Sequence, residues 1–180
     1  SELGRCVEII GAARYKAEKS KPSKFAIWQQ QLTEKALRLT GFEPNTAAEA
    51  LIPKGMSRFY LDEAESLQAC IPGAGGVFTA RSLAKIYAAL ANHGEIDGVR
   101  LLSEKTVREL VKVQNRNRGD VVPMAMHWRL GYHRVFTTWP KTPYAFGHFG
   151  YGGSGAWADP SRHLAVGFIV NTGSGSPFAD

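Results

Sequence analysis

The chain has 180 residues, 44% of them hydrophobic and 21% charged, with a mean hydropathy of −0.21. Such a length and composition suit one globular domain with a sizeable core, and no apolar run approaches the ~18 residues that a membrane span needs. The net charge of +6 raises nucleic-acid binding as a possibility. The basic run of Arg14, Lys16, Lys19, Lys21 and Lys24 carries no base-reading motif, however, and reads as a solvated face, so no nucleic-acid partner is expected. Ser1 opens the chain without a basic flank or apolar signal region, and no compartment, cytoplasmic or cell-envelope, is assigned. Cys6 and Cys70 are too far apart in sequence to form a disulfide framework or a metal-ligand spacing, and are expected to be half-buried reduced thiols.

In chain order, Leu3, Cys6, Val7 and Ile10 lie at the spacing of one helical face. After a break at residues 20–23, where Ser23 is placed to cap, Phe25, Trp28 and Leu32 continue as a second helix with Gly41 as its stop. Residues 42–76 hold Pro44, Pro53, Gly55 and Pro72 and are expected to contain only short helices. The clearest helix starts after Thr79, sets Leu83, Ile86, Tyr87 and Leu90 on one face, and stops at Asn92 and Gly94. A turn at residues 94–98 leads to Leu101 and Leu102, after which Ser103 caps a helix with Val107, Leu110 and Val111 on its apolar side.

From Met126 the period becomes two, with Met126, Trp128, Leu130 and Tyr132 alternating with His127, Arg129, Gly131 and His133, which predicts a strand. Further strands are expected at residues 144–151, 154–159 and 163–171, the last two joined by a tight turn through Asp159, Pro160, Ser161 and Arg162. Short connections imply an antiparallel meander, and helices followed by strands imply an α+β fold, with residues 1–125 mainly helical and 126–180 forming the sheet.

The segment most informative about function is residues 146–160, Phe-Gly-His-Phe-Gly-Tyr-Gly-Gly-Ser-Gly-Ala-Trp-Ala-Asp-Pro, which places His148 among glycines late on a strand. Glycines weaken a strand, so their clustering points to something that approaches the backbone closely, either a substrate or simply a softened strand edge. His148-Phe149-Gly150 resembles the third box of the serine β-lactamase, D-alanyl-peptidase and esterase superfamily, which is Lys-Thr-Gly in some members and His-x-Gly in related esterases. Gly152-Gly153 follows as that family's glycine pair does. Upstream, Ile71-Pro-Gly-Ala-Gly-Gly-Val-Phe-Thr-Ala-Arg-Ser-Leu-Ala-Lys and Leu101-Leu-Ser-Glu-Lys-Thr-Val resemble two further segments, in family order.

The resemblance implies the C-terminal portion of a β-lactamase/transpeptidase-like fold and a hydrolase that works through an acyl-enzyme, without cofactor. His148 would stand in the place of the third-box lysine, Gly150 would let substrate lie against the strand, and the N–H of Tyr151 would be one oxyanion donor. Phe149, Gly152 and Gly153 would border the substrate, a small acyl ester or amide. Histidine in place of lysine favours neutral esters over carboxylate-bearing lactams or D-alanyl peptides, which points to an esterase or lipase. The family's Ser-x-x-Lys and Tyr-x-Asn boxes have no counterpart ahead of the matched region, so the nucleophile is expected on a segment outside this chain, which would be its partner. A non-catalytic ligand-binding module derived from the same fold, or a β-lactamase or D-alanyl peptidase, is the alternative.

Several other signals are read as structural. Ser82-Leu83-Ala84-Lys85 is a literal Ser-x-x-Lys, but helical spacing puts Lys85 nearly opposite the apolar face. Ser154 nearly fits a Gly-x-Ser-x-Gly elbow, yet a strand rather than a helix follows it. Gly73-Ala74-Gly75-Gly76 lacks the lysine of a phosphate loop. His93, His127, His133 and His163 show no metal-ligand spacing, so no metal is expected. Trp128, Trp139 and Trp157 are expected in the core or the cleft wall, and residues 137–143 are a possible flap.

Overall fold

The computed structural model describes residues 24–39, 49–50, 64–73, 75–119, 121–122, 124–137, 139, 141–150 and 153–171. The helix expected around Leu3 to Ile10, the Ser23 cap and the Gly41 stop lie outside these. The chain divides into two compact units, one of Ser1–Gly75 with Asn117–Met126 and the other of Gly76–Arg116 with His127–Asp180. Among the described residues no helix is long and apolar enough to cross a membrane.

The first unit contains helices α1 (Lys24–Leu39) and α2 (Ala64–Gln68). Phe25 and Trp28 lie one turn apart on α1 with ring centroids 6.0 Å apart, and together with Leu32 they form an exposed apolar stripe. Cys70, expected to be half-buried, is exposed just after α2.

The second unit is built around helix α3 (Ala80–Ala91), whose start is fixed by a capping box. The Thr79 hydroxyl accepts from the Ser82 N–H at 3.1 Å and the Ser82 hydroxyl accepts from the Thr79 N–H at 3.0 Å, so two otherwise orphaned donors are satisfied reciprocally. The chain then forms a hairpin of β1 (Glu95–Ile96) and β2 (Val99–Arg100). Asp97 and Gly98 at its turn both have positive φ, 52° and 74°, as a two-residue type I′ hairpin requires. Helix α4 (Glu104–Val111) follows, capped by Ser103, whose hydroxyl accepts from the Thr106 N–H at 3.1 Å.

The sheet comprises β3 (His133–Arg134), β4 (Phe146–Phe149), β5 (Gly155–Asp159) and β6 (Leu164–Phe168), antiparallel throughout and ordered β3-β4-β5-β6. This is the α+β meander that the sequence predicts. Tyr87, Leu90 and Ala91 of α3 meet Phe146, Ala156 and Ala158 of the sheet, with Leu83, Leu102, Leu110, Val111, Tyr132 and Ala165 packed around them. Tyr132 sets its ring edge-on to both Tyr87 and Phe146, with centroids 5.9 and 5.2 Å away. The β5–β6 turn is held by Asp159, whose carboxylate accepts from the Ser161 N–H at 3.0 Å and the Ser161 hydroxyl at 2.6 Å and pairs with Arg162.

Two further sequence expectations differ from the structure here. The alternating segment from Met126 to Tyr132 is not a continuous strand. It carries one isolated bridge, Asn115 to Trp128, with a second, Arg118 to Ala125, just before it, because His127 takes a positive φ of 50° and Gly131 one of 84°. The resulting turn brings Arg129 inward, where its guanidinium donates to the Val111 carbonyl at 2.9 Å and the His127 carbonyl at 3.2 Å, and leaves Leu130 exposed. On α3, Ile86 is exposed, and the buried face runs instead through Leu83, Tyr87, Leu90 and Ala91.

Candidate functional site

The candidate site lies at the end of β4, where the strand leaves the core. Phe146 and Gly147 are buried beneath α3 and β5, whereas His148 and Phe149 are exposed. Their backbones remain in register with β5, His148 opposite Ala156 and Phe149 opposite Gly155. Beyond them the Gly150 N–H donates to the Ser154 carbonyl at 2.8 Å and the Gly153 N–H to the Gly150 carbonyl at 3.2 Å, which closes the connecting loop. Tyr151 and Gly152, expected at the oxyanion position and the substrate border, lie outside the described residues.

The glycines divide by role. A Cβ at Gly147 would lie 2.2 Å from the Ala156 carbonyl oxygen, and one at Gly155 would lie 2.6 Å from the His148 carbonyl oxygen and 2.5 Å from Phe149 Cδ1. At these two positions the close neighbour is the adjacent strand. At Gly150 a Cβ would meet the Ser154 carbonyl oxygen at an ordinary 3.5 Å, so strand packing does not demand glycine there.

Beneath the exposed pair, a set of rings supports the strand. His133 is only 5% exposed and packs edge-on to His148 and to Trp128, with centroids 5.3 and 5.6 Å away. Burial, with smaller contributions from His148 and Arg129, holds the His133 imidazole below the ordinary histidine pKa against the opposing pull of the Arg134 carbonyl. His127 is also held low, by desolvation and by Arg134, Arg116 and Arg129. Burial pushes the Tyr87 phenol up to about 12, Tyr132 beside it adds to the effect, and a hydrogen bond with the His148 backbone opposes it. Burial likewise raises Tyr132. Neither phenol is suited to act as a base near neutral pH.

Ser82 and Lys85 do not form a catalytic pair. The Ser82 hydroxyl is committed to the α3 cap, and the Lys85 ammonium lies 2.6 Å from Asp97 with more than half of each side chain in solvent. Ser154 is committed too, since its hydroxyl donates to the Val170 carbonyl at 3.2 Å and accepts from the Val170 N–H at 3.0 Å. Trp139 is 83% exposed and is not part of the core. Among the described residues no group of three or more His, Cys, Asp or Glu side chains is placed to hold a metal. Sequence reasoning noted His133 only as an unpromising metal ligand and missed its place under His148. The Leu130-Gly131 turn, which reverses the apparent alternation, was the signal available.

A beta-lactamase family model matches residues 14–180. The chain belongs to the beta-lactamase family. Over 116 residues it is 45% identical to the Mycobacterium tuberculosis protein "Esterase/beta-lactamase LipL", a match covering 61% of this chain and 25% of LipL. A crystal structure of a family VIII carboxylesterase is similar at 33% identity and a TM-score of 0.51, over 56% of this chain and 28% of that one. A penicillin-binding protein homolog from Caulobacter crescentus is similar at 32% identity and a TM-score of 0.64, over 74% of this chain and 36% of that one. The matches thus span about a quarter to a third of these relatives' lengths. The helices and antiparallel meander described above are part of the β-lactamase fold, and the relatives named here include hydrolases of the esterase and beta-lactamase kind.

Proposed function

We propose that this chain forms one wall of the acyl-binding cleft of a carboxylesterase, with the acylated serine and its base carried by sequence outside these 180 residues. The observation that carries the reading is the end of β4, where His148, Phe149 and Gly150 emerge from a strand whose first half is buried in the core and leave two side chains exposed. In this reading His148 contacts the substrate or the serine's proton relay, and the Tyr151 N–H donates to the oxyanion. Such a donor acts on charge that develops during reaction, and its loss commonly costs about a hundredfold or more in rate. Phe149, Gly150, Gly152 and Gly153 border the acyl group.

A small neutral ester is favoured as substrate because His148 stands where a lysine would otherwise meet a carboxylate. The names of LipL and of the family VIII carboxylesterase support the esterase reading, and LipL's name also supports β-lactam hydrolysis as a second activity. The test is steady-state hydrolysis of short-chain chromogenic esters and of a chromogenic cephalosporin by the full-length protein and its His148→Ala variant. Ester turnover is expected to exceed lactam turnover, and His148→Ala is expected to lower kcat more than it raises KM. An unchanged kcat would remove His148 from the site. The 180-residue chain alone should show no ester turnover above a denatured control, and turnover blocked by a serine-directed phosphonate would refute the placement of the nucleophile.

A further inference from the structure

The register of β3 with β4 ends at His133 opposite Gly147, because Gly131 turns the preceding chain away. The N–H of Phe149, two residues further along β4, therefore lies beyond the last backbone pair. The His133 side chain meets it. The Phe149 N–H donates to His133 Nε2 at 3.4 Å, while His133 Nδ1 lies 2.8 Å from the Arg134 carbonyl oxygen. A carbonyl can only accept and an amide N–H can only donate, so the two contacts together define one state: a neutral imidazole with its proton on Nδ1 and a lone pair on Nε2.

We infer that His133 is a positioning residue, which as a neutral imidazole takes the place of a missing strand acceptor and fixes the Phe149 amide at the centre of the His148-Phe149-Gly150 segment. The inference rests on the reading of that segment as cleft wall. The ring is itself wedged, with Trp128 and His148 edge-on and the rings of Phe136 and Phe149 each 6.5 Å away, so it has little room to turn. Protonation at Nε2 would set a donor against a donor and release the amide. The titratable and charged groups that bear on the ring are His148 from β4 and Arg129 from the turn before β3, and like-charge repulsion from both favours the neutral form, as burial does. Positioning is therefore intact near neutral pH and is lost in acid.

The test uses the full-length protein, with His133→Phe and His133→Gln compared with wild type. Phenylalanine keeps the ring and loses the acceptor, whereas the glutamine amide oxygen can accept from Phe149 without titrating. His133→Phe should lower kcat about tenfold with little change in KM, as expected when a reacting group is slightly misplaced. His133→Gln should restore most of that loss and weaken the acid limb of the kcat profile. Independently of activity, NMR of wild-type protein labelled with 15N at histidine and phenylalanine should show the Nδ1–H tautomer for His133 and a Phe149 amide shift that follows its titration. A proton on Nε2 at neutral pH, or a Phe149 amide indifferent to His133, would overturn the inference whether or not the variants fold. Kinetics separates the two readings: if His148→Ala impairs kcat but His133→Phe does not, positioning fails and the cleft stands. If His148→Ala has no effect while the NMR contact is present, the cleft reading fails.

Discussion

The two halves of β4 obey different rules although they are consecutive residues of one strand. Phe146 is fully buried against α3 and Tyr132, and Gly147 is bare because the Ala156 backbone leaves no room for a side chain. His148 and Phe149 share the same ladder but project out of the core, Phe149 with 42% of its surface exposed. Packing selects the residues of the first half. The second half is held in the same ladder yet keeps its side chains exposed, an arrangement that suits the proposed cleft wall.

That division can be broken or sharpened by experiment. The largest effect belongs to Phe146→Ala, which should cost about 3–5 kcal/mol in urea unfolding by opening a ring-sized cavity under α3. Next is Asp159→Ala at the far end of β5, expected to cost about 2–3 kcal/mol because buried hydrogen bonds and the Arg162 pair are lost together. Burial alone would raise the Asp159 pKa, but the Ser161 hydrogen bonds and Arg162 outweigh it and the carboxyl is held below 3.8. A carboxyl with a depressed folded pKa stabilises above its unfolded value and loses that contribution as pH falls through its folded value. The acid arm of the stability curve should therefore flatten in the variant.

The His133 contribution is of the same sign at higher pH. Its neutral folded form costs stability progressively as pH drops below the ordinary 6.5 towards its lower folded value, and His133→Gln should abolish that slope in chemical denaturation. Phe149→Ala should cost under about 1 kcal/mol of stability, since the side chain is exposed, while raising KM for longer acyl esters several-fold. Equal loss of stability in Phe146→Ala and Phe149→Ala would erase the contrast between the halves. Smallest in its effect on activity is Ser82→Ala, which removes half of a capping box and should cost about 1 kcal/mol of stability with kcat/KM within about a factor of two. Acylation of Ser82 seen by mass spectrometry would contradict the structural role of that hydroxyl.

Much of the second unit was legible because its signals are local. Thr79 and Ser103 cap helices by side-chain hydrogen bonds formed within four residues, and the Asp159-Pro160-Ser161-Arg162 turn closes on its own carboxylate. The segment from Met126 to Tyr132 was misread for the opposite reason. Its alternation is real in the sequence, but positive φ at His127 and Gly131 and the distant Val111 carbonyl decide which side chains turn inward. The glycine cluster was half legible, since sequence showed that something must lie close to it but not that at Gly147 and Gly155 the neighbour is the adjacent strand. The contact of His133 with the Phe149 amide needed a three-dimensional gap in the ladder, for which the Leu130-Gly131 turn was the one sequence signal.

The clasp between Ser154 and Val170 carries a consequence for hydrogen exchange. Val170 lies past the last paired residue of β6, where a backbone amide would ordinarily exchange with solvent as fast as its exposure allows. One hydroxyl satisfies both its N–H and its carbonyl, so the sheet is in effect lengthened by a side chain. The Val170 amide should then exchange with the sheet. Because the same Ser154 accepts from the Gly150 N–H through its backbone carbonyl, loss of the Val170 clasp and of that hydrogen bond should be seen together, which makes the Val170 amide a reporter on the end of β4.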